Sequence, residues 1–120
     1  MLPLWLIIIL FAFMRKLSND ELNRLSPQEY KQAEKTPVVI VLDNIRSMMN
    51  IGSVFRTSDA FRIHSVLLCG ITACPPNKEI HKTALGATES VDWRYYENTI
   101  DAVQELAQQG FEIYSIEQAE

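Results

Sequence analysis

Glycine is scarce in this sequence, with four residues in 120, and it forms none of the glycine-rich motifs that hold phosphates or nucleophiles. The absence of GxGxxG, GxxxxGK(S/T) and GxSxG patterns argues against nicotinamide dehydrogenases, P-loop enzymes and serine hydrolases. Cysteine is scarce as well, because Cys69 and Cys74 form neither a CxxC pair nor a Cys/His cluster. This pattern predicts two reduced thiols in a cytoplasmic protein. His64 and His81 lack metal-ligand spacing, so no metal site is predicted.

An excess of positive charge is also missing, since the formal net charge is −4 at pH 7. Bulk electrostatics therefore do not indicate a nucleic-acid-binding protein, although a local basic face is compatible with this total. A chain of 120 residues is long enough for one domain with its own core.

The first residues form an apolar run, Leu2–Phe13, that is too short to span a bilayer, which takes about 20 residues. No charge precedes the run and no small-residue cleavage pattern follows it, as a secretory signal would require. We predict that translation starts at Met14 and that residues 1–13 are an apolar extension outside the fold, with a membrane anchor as the alternative. Residues 14–36 are predicted to form a short helical extension capped at Ser18 and Ser26, followed by a domain over residues 37–120.

The domain alternates between strand and helix patterns. Apolar runs predict two strands buried on both faces, Val38–Leu42 and Ser65–Cys69, which is typical of a parallel sheet. Two further strands are predicted at Val91–Tyr95 and Phe111–Ile116. Helices are predicted between them, at Asn50–Phe61, Glu79–Ala87 and from Asn98 or Thr99 to Gly110. The order predicts an α/β fold with a mainly parallel sheet and helical crossovers.

The most informative stretch is Leu42–Thr57, LDNIRSMMNIGSVFRT, which combines a strand end, a polar loop and a helix start. Ligand sites of open α/β sheets lie in such loops. Asn50 fits either a helix N-cap or an amide that binds a ligand. Arg56 fits either a surface ion pair with Asp59 or a guanidinium that contacts phosphate or ribose oxygens. Gly52 costs about 1 kcal/mol relative to Ala in a helix, which indicates close approach of another backbone or of a ligand.

Two segments of the chain resemble one protein family. Asn50–Thr57 (NIGSVFRT) resembles the first motif of the SpoU/TrmH class of RNA ribose methyltransferases, in the SPOUT or α/β-knot superfamily. Leu42–Arg46 (LDNIR) resembles the strand end that leads into that motif. Lys82–Ala87 (KTALGA) resembles the family's basic-small-x-x-Gly-Ala segment. The resemblance covers roughly Pro37–Ile116, in order and in spacing.

The resemblance implies a homodimeric enzyme that transfers a methyl group from S-adenosylmethionine to a ribose 2′-hydroxyl of tRNA or rRNA. It also implies that Arg56 helps to activate or position this hydroxyl and its phosphate, while Asn50 supports the site. Cations near these residues are expected to contact RNA: Arg46, Arg62, Lys78 and Lys82. No bound metal and no membrane association are expected.

The family has two further motifs, rich in Gly and in Ser/Asn, which form the knot around the methyl donor. In this sequence no glycine lies after Gly110 and no residue follows Glu120, so both motifs are missing from it. We therefore expect the N-terminal part of an α/β-knot domain, truncated at Glu120, with no cofactor-binding residues and no measurable cofactor binding. Two other classes stay open: a non-catalytic RNA-binding or dimerisation module, and a small nucleotide-binding α/β protein unrelated to methylation.

Overall fold

The protein is built on one five-stranded sheet with helical crossovers. The computed structural model describes residues 5–10, as a strand, and residues 25–118. The elements in chain order are β1 (Trp5–Leu10), α1 (Pro27–Gln32), β2 (Thr36–Asp43), α2 (Met48–Ala60), β3 (Ile63–Cys69), α3 (Lys78–Ala84), α4 (Ala87–Ser90), β4 (Trp93–Tyr96), α5 (Thr99–Gln108) and β5 (Glu112–Ile116).

The strands lie in the order β4-β3-β2-β1-β5. β2 pairs in parallel with β3, and β3 pairs in parallel with β4. β1 is antiparallel to both β2 and β5, so β5 runs in the same direction as β2. The predicted α/β fold with a mainly parallel sheet and helical crossovers is confirmed.

The central strand β2 contributes to two apolar cores, one on each face of the sheet. Val38, Ile40 and Leu42 pack on the side of α1 to α4, together with residues of those helices. Val39 and Val41 pack on the other side, where α5 supplies the cover. The uninterrupted apolar run that predicted this strand follows from burial on both faces.

Strand β1 lies within residues 1–13, which were predicted to stand outside the fold. Its register pairs Trp5 with Asp43 and Leu10 with Val38, and its other edge pairs with β5. A central strand has two hydrogen-bonding edges, and β3 satisfies only one edge of β2, which leaves the other for an apolar partner.

Three predictions about the ends of the chain are left as predictions. The start of translation at Met14 and the cap at Ser18 fall on positions outside the described residues. The same holds for Glu120, because the described part of the chain ends at residue 118, so the predicted truncation at Glu120 stays a prediction.

Helix α1 is tied to the core by a single aromatic side chain. The predicted cap at Ser26 is confirmed, since its hydroxyl accepts a hydrogen bond from the backbone of Glu29 at 3.2 Å. Tyr30 is buried and its hydroxyl lies 2.6 Å from the carbonyl oxygen of Ile63, to which it donates. Burial is the main reason that the pKa of Tyr30 is raised well above its usual value.

The predicted helix Glu79–Ala87 is two helices in the structure. Leu85 and Gly86 both have positive φ, 49° and 87°, and these left-handed residues separate α3 from α4. The third strand begins two residues later than predicted, at Trp93, because Val91 ends α4 and packs in the core instead.

Candidate functional site

Helix α2 begins at the carboxyl end of β2, two residues earlier than predicted. Ser47 is its N-cap, and the Ser47 hydroxyl accepts a hydrogen bond from the backbone of Asn50 at 3.1 Å. The N-cap interpretation of Asn50 is therefore wrong. Asn50 lies in the first turn with its side chain exposed, and no residue in the described ranges hydrogen-bonds to its amide. That amide is available to a ligand as donor and as acceptor.

Arg56 is exposed on the same helix, six residues further along. The ion pair with Asp59 is not formed, because Asp59 is 5% exposed on the buried side of α2. Across residues 25–118 the Arg56 guanidinium has neither an ion pair nor a hydrogen bond. Six residues advance a helix by about 9 Å, and long helical side chains lean towards the N-terminus. The same six residues turn the helix by about 240°, so Arg56 and Asn50 lie about a third of a turn apart around the axis of α2.

Gly52 marks the contact between α2 and α3. A Cβ at this position would lie 2.0 Å from the Thr83 hydroxyl and 2.3 Å from the carbonyl oxygen of Ile80. Of the two interpretations of this glycine, close approach of another backbone is confirmed. Thr83 also donates a hydrogen bond from its hydroxyl to the carbonyl oxygen of Met49, at 2.8 Å. The two segments that carry the family resemblance therefore meet in space.

The loops that follow β2 and β3 interlock. Asn44 has a φ of 53°, and its side-chain oxygen accepts a hydrogen bond from the backbone of Ile71 at 3.0 Å. Gly70 has a φ of 66°, and a Cβ there would lie 2.0 Å from that same oxygen. Both residues adopt the left-handed conformation that Gly and Asn tolerate best. These contacts fix the loop after β2 and the loop after β3 relative to each other.

Thr72 adds a second link, which no sequence pattern had indicated. Its side chain is buried at 3% exposure, donates to the carbonyl oxygen of Leu42 at 3.1 Å and accepts from the backbone of Ile45 at 2.9 Å. Thr72 thus satisfies backbone groups where β2 ends and the loop towards α2 begins. A lone threonine in a loop gives no signal that would have identified it.

Asp43, the last residue of β2, is held by two donors at one oxygen. Its Oδ1 accepts hydrogen bonds from the Asn44 amide at 2.9 Å and from the Thr99 hydroxyl at the start of α5. The neighbouring Cys69 is buried, and burial is the main cause that raises its pKa to about 11. This thiol is therefore uncharged near neutral pH and suited to packing rather than to chemistry.

Three of the predicted RNA-contacting cations lie just before α2 or on α3, the helix that contacts α2. Arg46 is exposed in the loop before α2, while Lys78 and Lys82 are exposed on α3 and line an open cleft of about 580 Å³ with His81. Lys82 forms an ion pair with Glu79 at 3.0 Å. The structure does not bring Arg62 to this group, because Arg62 precedes β3, at the amino edge of the sheet.

The described residues contain neither a candidate metal site nor a candidate membrane-spanning helix. No group of three or more His, Cys, Asp or Glu side chains in these residues is placed to hold a metal ion. None of the helices in the described ranges is long and apolar enough to cross a membrane.

Polar loops lie at the carboxyl edge of the parallel strands, beside a helix whose exposed Arg and Asn have no partner among the described residues, and these features define an α/β protein of the open-sheet class. The chain belongs to the SpoU rRNA Methylase family, whose model matches residues 37–120. The match begins at the residue where the resemblance begins, which confirms the predicted family.

Individual relatives agree with this assignment. A 23S rRNA (guanosine-2′-O-)-methyltransferase, RlmB, of Nitrosomonas europaea is 30% identical over 73 residues, which are 61% of this chain and 28% of the relative. RlmB of Vibrio parahaemolyticus is 27% identical over 90 residues, covering 75% of this chain and 36% of the relative. A putative TrmH family tRNA/rRNA methyltransferase of Staphylococcus aureus is 27% identical over 84 residues, covering 70% and 34%. The chain thus spans about a third of these relatives or less.

Proposed function

We propose that this chain carries the RNA-handling part of a ribose 2′-O-methyltransferase acting on tRNA or rRNA. The observation that supports it best is the pair Asn50 and Arg56, both exposed on α2 without partners in the described residues. Lys78 and Lys82 add positive charge on the adjoining helix α3. The names of the relatives, which are rRNA and tRNA/rRNA methyltransferases, agree with this proposal.

The chemistry gives Arg56 a specific task. A ribose hydroxyl is a very weak acid, so its oxygen needs help to develop negative charge as it attacks a methyl group. A guanidinium keeps its proton and is a poor base, but it can bind the neighbouring phosphate in a bidentate manner and stabilise charge on the oxygen. We therefore assign Arg56 to orientation and electrostatic stabilisation, with Asn50 as a hydrogen-bonding partner of the same nucleotide.

The methyl donor of such enzymes is S-adenosylmethionine, and we propose that the described residues supply only part of a site for it. The strand order reverses between β2 and β5, which is where doubly wound sheets bind nucleotides, and an open cleft of about 470 Å³ lies there. However, β1 separates these two strands, so their carboxyl ends are about 10 Å apart. Hydrogen bonds within the protein also occupy Asp43 Oδ1 and the Asn44 side chain. We propose that the chain alone does not bind the donor measurably.

Binding of a labelled RNA hairpin tests the assignment of Arg56. We expect Arg56→Ala to weaken binding about tenfold, since one charged hydrogen bond contributes about 1.5 kcal/mol. The slope of log affinity against log salt should also fall by about 0.7 to 0.9, which corresponds to one lost phosphate contact. The control is Arg94→Ala, which removes the same charge from the α5 side of the sheet, where Arg94 pairs with Glu105 at 3.8 Å.

The binding results test the role of Arg56 and the proposed function separately. Equal losses for Arg56→Ala and Arg94→Ala would contradict a specific role for Arg56, and no binding by the wild type would contradict the proposed function itself. A DNA hairpin of the same sequence reports whether the 2′-hydroxyl contributes. The homodimer implied by the resemblance stays a prediction, checked by sedimentation of the purified chain.

A further inference from the structure

We propose that Thr83 is a positioning residue, whose hydroxyl fixes α3 against the first turn of α2 and so sets the position of Lys82 relative to Asn50 and Arg56. This inference rests on the proposed function, because it concerns the same RNA-binding surface. It assigns a role to a side chain that makes no contact with RNA itself.

The key feature is one carbonyl oxygen that accepts hydrogen bonds from two side chains. The Met49 oxygen accepts from the Ser53 hydroxyl at 3.0 Å and from the Thr83 hydroxyl at 2.8 Å. Ser53 belongs to the Asn50–Thr57 segment and Thr83 to the Lys82–Ala87 segment. The two segments are therefore joined through the residue that immediately precedes Asn50.

The absence of a side chain at Gly52 lets the Thr83 hydroxyl reach the backbone of α2. The Thr83 hydroxyl and the Ile80 carbonyl oxygen occupy the space where a Cβ of residue 52 would lie. Helix α3 has only seven residues, and just two of them, Ile80 and Ala84, are buried. Their apolar contacts with the core are not directional, so they do not by themselves fix the rotation of α3 about its own axis. The directional bond from Thr83 supplies that constraint.

Rotation of α3 matters for Lys82 because its charge lies far from the helix axis. A lysine ammonium extends to about 8 Å from the axis, so a turn of about 20° moves it by about 3 Å. Such a shift exceeds the tolerance of a hydrogen bond to phosphate. The Lys82 ammonium lies 3.0 Å from the Glu79 carboxylate, and both side chains belong to α3, so the ion pair moves with the helix.

The experiment measures binding of a fluorescein-labelled RNA hairpin at several salt concentrations, together with thermal melting. We expect Thr83→Val to weaken binding about threefold to fivefold and to lower the salt slope by about 0.7 to 0.9, the value of one phosphate contact. Its melting temperature should change by only a few degrees. Thr83→Ser keeps the hydroxyl and should bind like the wild type. Thr36→Val is the matched control, because it removes the same kind of hydrogen bond, from the Thr36 hydroxyl to the carbonyl oxygen of Phe61 at 2.7 Å, at the opposite edge of the sheet.

A double-mutant cycle with Lys82→Ala tests whether Thr83 acts through Lys82. We expect Thr83→Val to have no further effect on binding or slope once Lys82 is Ala. An undiminished effect in that background would overturn the inference, as would a Thr83→Val protein that melts earlier with an unchanged slope. Thr83→Ala repeats the test without a branched side chain, and failure of both variants to fold would also overturn it. A wild type that does not bind RNA overturns the proposed function as well, whereas binding that depends on Arg56 but not on Thr83 overturns this inference alone.

Discussion

Substitution of Gly52 by Ala sets two opposing effects against each other. Helix propensity favours Ala over Gly by about 1 kcal/mol in the interior of a helix such as α2. The added Cβ, however, would lie 2.0 Å from the Thr83 hydroxyl, 2.3 Å from the Ile80 carbonyl oxygen and 3.0 Å from the Ala84 nitrogen. Two of these three neighbours are backbone atoms of α3, which cannot turn away as a flexible side chain can.

We expect the steric effect to dominate. Overpacking of this kind costs typically 1–3 kcal/mol, and the two shortest contacts place Gly52→Ala near the upper end, at about 3 kcal/mol. After subtraction of the propensity gain, the free energy of unfolding should fall by about 2 kcal/mol. That loss corresponds to a melting temperature roughly 10 °C lower. Urea unfolding, followed by circular dichroism, measures the free energy directly.

Two further variants serve as controls for Gly52→Ala. Thr57→Ala changes an exposed residue of the same helix and should stabilise it by about half a kcal/mol through propensity alone. The double variant Gly52→Ala/Thr83→Ala removes the hydroxyl clash but keeps the clash with the Ile80 oxygen, so it should not recover the lost stability. A Gly52→Ala protein that is more stable than the wild type would show that α2 and α3 are not in close contact.

Two further predictions concern buried titratable groups. Tyr30→Phe leaves the carbonyl oxygen of Ile63 without its donor and should lower the free energy of unfolding by about 1–2 kcal/mol in urea titrations. Because the pKa of Tyr30 is raised in the folded state, wild-type stability should fall as pH rises above about 10, and this fall should be smaller in Tyr30→Phe. Burial raises the pKa of both thiols, that of Cys69 to about 11, but Cys69 is fully buried whereas Cys74 is half-buried, so a thiol reagent at pH 8 should modify Cys74 first. Equal labelling rates for the two thiols in the folded protein would contradict that assignment.

The strands that were predicted best are those whose burial is visible in consecutive residues. The apolar runs that predicted β2 and β3 lie within one or two residues of the observed bounds. β2 begins earlier than expected, at Thr36, although Pro37 lacks a backbone donor. The ladder with β3 has an irregularity between Thr36 and Val39, and such a bulge accommodates proline.

Long-range pairing explains the largest surprise of the fold. A short apolar run can be a strand, a buried helix or a signal-like segment, because it lacks the periodicity that separates them. What makes Trp5–Leu10 a strand is the unsatisfied edge of β2, which lies about thirty residues away in sequence. Local pattern contains no information about that partner.

In the candidate site too, the sequence identified residues but not their long-range contacts. Asn50, Gly52 and Arg56 were found from residue type and spacing, because a costly glycine and an exposed arginine follow a strand end. The sequence could not decide between the alternative interpretations of each, since those depend on neighbours such as Ile80 and on the burial of Asp59. Thr83 was recognised only as part of a segment, because its partner Met49 lies 34 residues away.

The uneven cover of the sheet gives the protein a gradient of local stability. β2 has a strand on each side and helices on both faces, whereas every residue of β5 is exposed and, among the described strands, β5 pairs with β1 alone. Backbone amides of β5 should therefore exchange with deuterium through frequent local opening, while those of β2 exchange only when the whole domain unfolds. Helix α2 follows directly from β2, so Asn50 and Arg56 are attached to the part of the molecule that opens last. Local opening at the β5 edge can then occur without changing the positions of these two side chains.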